Sequence, residues 1–455
     1  MSFFSTQFSR LRLRERSGPL TLIGLTLAVG GIFKLSAFAR EAFIAGKFGL
    51  SSVTDAYFGL QQLPLTFATF MFGAFALAFT PAYAEAHKRE RGIEWMPGLL
   101  TIGCLAGFIL SAAMMFAGPV LFQLIHSEGT PDIWSTLEIL SACFMPIFCI
   151  GVWAGICTAR GHNLAALTVV GLPYLLMALT LFGLHFLGKL DNLSLPFSMS
   201  AGFVAVGLYS LIRTLLVQPI VSLSFPLAIW KIQEFRSFLR QLSAATIENG
   251  GFAANQLLMI YFLSRSGVGI ISGNNCAMRI GMLSYSVLAM PLTQLVQARL
   301  CATEGRGRHS MFRRWFLMVA GISVAFAIGI FLCRFPIIRA VYMHGRFQDV
   351  ELRLVASLLP AWLAYVTIMS LNQLAARYLF IRSIGPVYVR RQLYAYAAAN
   401  LVRLAIVGHF DASWIIWCSV VAEACAMLAN LLNCLSAQAP NDVPTPLAAA
   451  NEVAG

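Results

Sequence analysis

Residues 98–117 read GLLTIGCLAGFILSAAMMFA, a run without a charged side chain. At a rise of about 1.5 Å per residue, about 20 residues of helix cross the roughly 30 Å hydrocarbon core of a bilayer. Working outward from this stretch, whose apolar limits are 95–122, similar runs bounded by charge, Gly or Pro follow along the whole chain. They are 19–46, 55–85, 133–158, 164–188, 197–222, 240–263, 268–298, 314–336, 354–381, 391–408 and 413–436. Composition agrees. Of 455 residues 58% are hydrophobic and 11% charged, with a mean hydropathy of +0.76, whereas soluble domains average about half apolar and about one quarter charged. The expected fold class is an all-α polytopic membrane protein with about 12 transmembrane helices. A soluble enzyme, a nucleic-acid binder and a disordered regulator are excluded.

The net charge of +13 then becomes a matter of topology. An even number of spans puts both termini on one side. If that side is the cytoplasm, the inner segments collect Arg10 to Arg16, Lys88, Arg89, Arg91, Arg160, Arg306, Arg308 and Arg390, the bias that cytoplasmic loops show. The expected organisation is a basic cytoplasmic N-terminal segment 1–18, a first lobe 19–222 holding helices 1–6, a cytoplasmic amphipathic linker 223–239, a second lobe 240–436 holding helices 7–12, and a disordered cytoplasmic tail 437–455. In the linker Ile232, Phe235 and Phe238 oppose Lys231, Glu234 and Arg236 at helical spacing. Residues 1–17 precede an apolar run too long for a signal-peptide core, so a retained first helix is expected. The 10 cysteines fall mostly inside apolar runs and read as small buried hydrophobes rather than disulfide or metal partners.

A weak internal repeat supports two halves. Leu124-Ile125-His126-Ser127-Glu128-Gly129 leads into a helix with Pro146 and ends at Ala159-Arg160-Gly161; Val341-Tyr342-Met343-His344-Gly345-Arg346 leads into a helix with Pro360 and ends at Ile381-Arg382-Ser383. Repeats flanking a midplane site are the usual architecture of secondary transporters. Charges inside the spans are therefore informative, since each costs at least about 2.5–3.5 kcal/mol at the bilayer centre. The first helix carries Lys34, Arg40 and Glu41; Lys34 and Glu41 share a face two turns apart. Lys34, Arg40 and Arg279 are candidates for a cationic cavity that takes an anionic headgroup, particularly phosphate. Arg213, Glu248, Arg403 and Glu423 are candidates for ion coupling, for structural pairing or for snorkelling to an interface. Gly30-Gly31, Pro64, Gly73, Pro81, Pro146, Pro173, Pro291 and Pro360 interrupt the spans where helices bend around a cavity or pack through small residues. No nucleotide-phosphate loop, zinc motif or acidic sugar-transfer cluster is present; Asp55, Glu128, Asp132, Asp191, Asp349, Glu351 and Asp411 stand singly and serve as caps and turn formers.

One stretch goes beyond class. Phe38-Ala39-Arg40-Glu41, Phe48-Gly49, Thr54-Asp55-Ala56-Tyr57-Phe58, Leu63-Pro64, Gly73-Ala74-Phe75 and Ala78-Phe79 with Pro81 resemble, in order and spacing, the opening two helices of the MurJ/MviN family of lipid II flippases. Ala277-Met278-Arg279 and His344-Gly345-Arg346-Phe347 continue the likeness more weakly, over about residues 25–390. The resemblance implies a transporter of the multidrug/oligosaccharidyl-lipid/polysaccharide superfamily, with two six-helix lobes around a central cavity. It assigns the diphosphate of an undecaprenyl-linked sugar to Lys34, Arg40, Glu41 and Arg279. The sequence departs from the family pattern at Pro64-Leu65-Thr66-Phe67-Ala68-Thr69-Phe70-Met71-Phe72, where an Arg pair and a Glu are usual, and its twelfth span is its last.

The expected function is therefore that of an inner-membrane flippase, not an enzyme. It would move an undecaprenyl-diphosphate-linked oligosaccharide, of exopolysaccharide or surface-polysaccharide type, by alternating access. Alternatives are lipid II flipping, an ion-coupled multidrug or metabolite antiporter, and a membrane glycosyltransferase or polymerase. No catalytic residue, cofactor, metal or nucleic acid is expected. The partners are the lipid-linked glycan, the bacterial cytoplasmic membrane and polysaccharide synthesis and export proteins.

Overall fold

The computed structural model describes residues 19–75, 78–79, 83, 96–125, 133–160, 162–217, 233–285, 296, 300, 305–381 and 385–436. Nearly all of these are helical. The helices are α1 (Pro19–Phe48), α2 (Ser52–Leu60), α3 (Gln62–Phe70), α4 (Met96–Ile125), α5 (Ile133–Ser141), α6 (Phe144–Ala159), α7 (Asn163–Phe186) and α8 (Ser194–Val217). They continue with α9 (Gln233–Ser264), α10 (Ile270–Ser284), α11 (Gly305–Leu332), α12 (Arg334–Tyr342), α13 (Asp349–Ile381), α14 (Gly385–Ile406) and α15 (Ala412–Ser436). The quoted stretch lies within α4. Among the described residues 7 helices are long and apolar enough to cross a membrane, and α1, at 30 residues, is long enough by its rise of about 45 Å. Large apolar side chains stand on the surface of these helices: Phe116 is 81% exposed, Phe108 and Leu332 71% each. Lipid is the solvent that tolerates such a surface.

Prolines lie just after two of the helix breaks, whereas Gly30-Gly31, like Pro173 and Pro360, lie inside unbroken helices. The second expected span starts as α2, breaks at Gln61 and resumes as α3, with Pro64 in its first turn, where a missing N–H costs little. A π-helical turn, Met71–Phe75, follows and contains Gly73. The fourth span divides into α5 and α6, and Pro146 sits in the first turn of α6. Pro173 and Pro360 are carried inside α7 and α13. The expectations for Pro81, Pro291, residues 1–18, the loop at His126 and the tail 437–455 lie outside the described residues.

By packing, the chain forms two compact units: Met1–Cys276 with Ile338–Val355 and Val407–Ala412, and Ala277–Ile337 with Ala356–Ile406 and Ser413–Gly455. In the first, α8 packs on α6 and α7, α1 on α7, α4 on α5 and α6, and α9 on α3 and the π-helical turn. Small residues allow the close approach: a methyl group at Gly207 of α8 would stand 2.4 Å from Cβ of Pro146. The expected linker is described from Gln233 onward, where it is the start of α9; Phe238 is buried there, edge-on to Phe75 at 5.7 Å. The second unit has its own core around Phe312, Val319, Leu374 and Leu379, with Phe312 stacked on Tyr378 at 4.4 Å. The described cysteines are free thiols.

Candidate functional site

Within the first unit, α1 brings Arg40 and Glu41 into a fully enclosed position, 1% and 0% exposed. A lone charge there would be costly, and the two side chains neutralise each other: Arg40 Nη2 donates to Glu41 Oε1. Asn275 of α10 donates through Nδ2 to Glu41 Oε2 at 2.8 Å, so both carboxylate oxygens are engaged. Arg40 Nη1 points at Met177 Sδ of α7, 2.7 Å away. Arg40 Nε is buried and has no hydrogen-bond partner among the described residues. This leaves one charged donor for an incoming acceptor.

A second cluster ties the corner between α1 and α2 to residues distant in the chain. Ser51 caps α2 in a reciprocal box with Thr54. The next residue, Asp55, is buried and caps a different helix: Oδ2 accepts from the amide of Gly269 at 2.5 Å, and Oδ1 accepts from the amide and hydroxyl of Ser272 at 2.8 and 2.5 Å. These amides open α10, where the partial positive charge of a helix N-terminus favours a carboxylate. Glu351, in the first turn of α13, accepts from Gln348 N at 2.6 Å and from Leu50 N at 2.7 Å. Arg346 N donates to Gly46 O at 2.7 Å. The contact requires glycine on both sides: Gly345 has φ +71°, and a Cβ there would lie 2.3 Å from Gly46 O. Together these short bonds, mostly from backbone amides to carboxylates, form a latch that is buried at Asp55 and exposed at Gln348 and Arg346.

The other sequence-derived candidates lie on several helices of the two units. Lys34 is exposed on α1 in the first unit, while Arg279 of α10 is half-buried in the second. Arg213 of α8 lies over the ring of Trp153 at 5.5 Å. The Glu248 side chain lies outside the described ones, although its backbone belongs to α9. Arg403 of α14 is wholly buried and donates to Ile415 O at 3.0 Å, to Asn400 Oδ1 at 2.7 Å and to Ser419 Oγ. Glu423 of α15 is buried among carboxamides and forms no ion pair with Arg403. The stretch at 64–72 that lacks the family's charges borders a cavity of about 440 Å³ walled by Leu63, Phe67, Phe70, Met114 and Phe252, with Asn249 and Gln256 supplying neutral polar groups. Sequence reasoning missed Thr54, Ser272, Asn275 and the second role of Asp55. The pair Asn274-Asn275 inside an apolar span was the available signal.

Comparison with known proteins converges on one family. A family model described as Lipid II flippase MurJ matches residues 44–384. A probable lipid II flippase MurJ of Aquifex aeolicus is 26% identical over 373 residues, covering 79% of this chain and 70% of that protein. The lipid II flippase MurJ of Burkholderia cenocepacia is 24% identical over 361 residues, covering 75% and 69%. Among solved structures, a lipid II flippase MurJ in an inward closed conformation has a TM-score of 0.78 at 16% identity, covering 90% of this chain and 87% of that one. An inward-facing multidrug resistance transporter of the MATE family has a TM-score of 0.70 at 12% identity, covering 91% and 97%. The last two likenesses carry the fold, that of polytopic two-lobed membrane transporters. The family model extends from the end of α1, through the latch at Asp55, Gly269, Ser272 and Glu351, to the end of α13, and the chain belongs to the MurJ family of membrane flippases, which are transporters rather than enzymes.

Proposed function

We propose that this protein carries lipid II, an undecaprenyl-diphosphate-linked glycan, across the bacterial cytoplasmic membrane by alternating access. The observation that carries the reading is the buried Arg40–Glu41 pair, held by Asn275 inside a family whose members are named for this substrate. Glu41 occupies Arg40 in the absence of ligand. A diphosphate oxygen competes for the same guanidinium, and the Arg40 Nε donor offers a further bond that Glu41 does not take. Lys34 and Arg279 are assigned to the same ligand on sequence grounds. With both termini cytoplasmic, as the distribution of basic residues favours, the corner after α1 faces outward, and the latch at Asp55, Glu351 and Gly345 closes that end. Substrate then enters from the cytoplasmic side, and breaking the latch releases it. The halves that rock are those expected from the sequence, 19–222 and 240–436, a division other than that of the two packing units, the first of which runs to Cys276.

A second reading, a polysaccharide repeat unit on the same lipid, was the expectation from sequence. The neutral walls of the cavity beside α3 favour it, since they lack the charges usual in the family. The relatives' names favour lipid II. The discriminating experiment is complementation: in cells depleted of their own lipid II flippase, the wild-type chain restores growth and Arg40→Ala does not. Absence of rescue by a protein present in the membrane, together with restored export in cells lacking a polysaccharide repeat-unit flippase, would replace the first reading with the second.

A further inference from the structure

In the second unit a single acidic side chain is enclosed by amides. Glu423 of α15 is 2% exposed, Asn372 of α13 and Asn430 of α15 are 0%, and Gln392 of α14 is 5%. Asn372 Nδ2 donates to Glu423 Oε1 at 2.7 Å and to Gln392 Oε1 at 2.9 Å; Gln392 Nε2 donates to Glu423 Oε2 at 2.5 Å. Asn430 Nδ2 donates to Asn372 Oδ1 at 3.0 Å, and its own Oδ1 is buried without a hydrogen-bond partner. Among the described residues no cation lies within ion-pair distance of Glu423. Arg403, one helical turn from it through Ser419, gives its donors to Ile415 O, Asn400 and Ser419. The other titratable groups facing the site are Tyr365 of α13 and Tyr396 of α14; Tyr388 lies beyond Tyr396, Tyr285 beyond Tyr365, and Cys418 beside Arg403.

Neutral amides do not balance a carboxylate charge in a span that excludes water. A proton does, and carboxamides can turn an acceptor towards it. As placed, every amide in contact with Glu423 donates to it. Rotating the three carboxamides end for end reverses each bond. The acid has one O–H, which either Asn372 Oδ1 or Gln392 Oε1 then accepts, and Asn430 Oδ1, orphaned in the first arrangement, accepts from Asn372 Nδ2. A metal ion would meet N–H groups on the carboxylate oxygens it needs.

We propose that Glu423, with Asn372, Gln392 and Asn430, is a proton-binding site, and that its occupancy is linked to the conformational cycle. The proton adds to a carboxylate oxygen and leaves to water when the unit opens around it. A conformation that encloses the site differs in proton affinity from one that hydrates it, so a proton gradient biases the cycle. The linkage rests on the flippase reading above, whereas the binding site does not.

Two measurements separate them. Dicyclohexylcarbodiimide adds to protonated carboxyl groups in apolar surroundings, so the wild-type protein in liposomes is expected to be modified on the Glu423 peptide several-fold more in acid than in alkaline buffer. Glu423→Gln removes that adduct. Absence of modification, or modification independent of pH, overturns the site without requiring any variant to fold. In vesicles, an imposed proton gradient is expected to change the rate of lipid-linked substrate flipping by the wild type and not by Glu423→Gln; equal responses overturn the linkage. If the wild type flips no lipid-linked substrate, the flippase reading and the linkage fall together, while the labelling still decides the site.

Discussion

Glu41 and Glu423 are both enclosed carboxylates on long apolar helices, and each accepts from carboxamides. Glu41 also faces the guanidinium of the residue before it in the chain, so its site is neutral as built. Glu423 accepts from amides and has no cation within ion-pair distance among the described residues, while Arg403, buried in the same unit, gives its donors elsewhere. Composition and hydropathy mark the two acids identically. What separates them is whether the compensating charge comes from the protein or must be brought in from outside, and this distinction is the one that matters for transport. A built-in pair offers its cation to an anionic ligand, which competes with Glu41. An uncompensated acid offers its charge to a small cation.

The largest expected effect tests the paired side. Arg40→Ala leaves Glu41 buried without its counter-charge, and loss of one partner of a buried ion pair costs about 3–5 kcal/mol. Thermal unfolding of the purified protein should show this loss, and adding Glu41→Gln to the same chain should recover most of it. Arg403→Ala strands no buried anion and should cost markedly less. Equal destabilisation by the two arginine variants would erase the distinction drawn between the sites.

Next in size is the latch. Asp55→Ala removes the acceptor of two backbone amides and one hydroxyl, and each buried donor left unsatisfied costs about 1–3 kcal/mol. Since about 1.4 kcal/mol is a tenfold change in an equilibrium, hydrogen exchange at the Gly269 and Ser272 amides should accelerate by about tenfold or more, with Asp55→Asn intermediate. Unchanged exchange would mean that α10 is capped without Asp55. Gly345→Ala is expected to act on the same corner. An L-residue in the left-handed region costs about 1–2 kcal/mol, and the added methyl presses on Gly46 O. Faster exchange at the Arg346 amide is the readout.

These sites were unequally legible in the sequence. Arg40, Glu41, Arg403 and Glu423 announce themselves because a charge in an apolar run is expensive, and Pro64 and Pro146 announce breaks because they lack an N–H. The partners do not. Asn275, Ser272, Asn372 and Gln392 carry no charge, and apart from the pair Asn274-Asn275 nothing local marks them as partners. Asp55 reads as a cap, and it is one, but the helix it caps begins more than 200 residues later, while its own helix is capped by Ser51. Glu351 likewise caps its own turn and also reaches Leu50, 301 residues away. Local pattern identifies the chemistry of such residues but not the second element they join, because that depends on how the chain returns.

Arg213 sharpens the comparison from its weak end. Among the described residues it has neither the carboxylate that compensates Arg40 nor the enclosed acceptors that compensate Arg403. Its guanidinium lies over the Trp153 ring near the C-terminal end of α8, with the side chain only half-buried. A cation over an aromatic face contributes about 0.5–1 kcal/mol where water still reaches it. Arg213→Gln should therefore lower thermal stability by no more than that amount, and Trp153→Leu should make the Arg213 substitution nearly silent in a double-mutant cycle. Flipping activity should be retained in Arg213→Gln, in contrast to Arg40→Ala. If activity were lost while stability held, the cation over Trp153 would belong with Arg40 among the groups that meet the substrate, and partial exposure would then mark a functional cation in this protein as clearly as enclosure does.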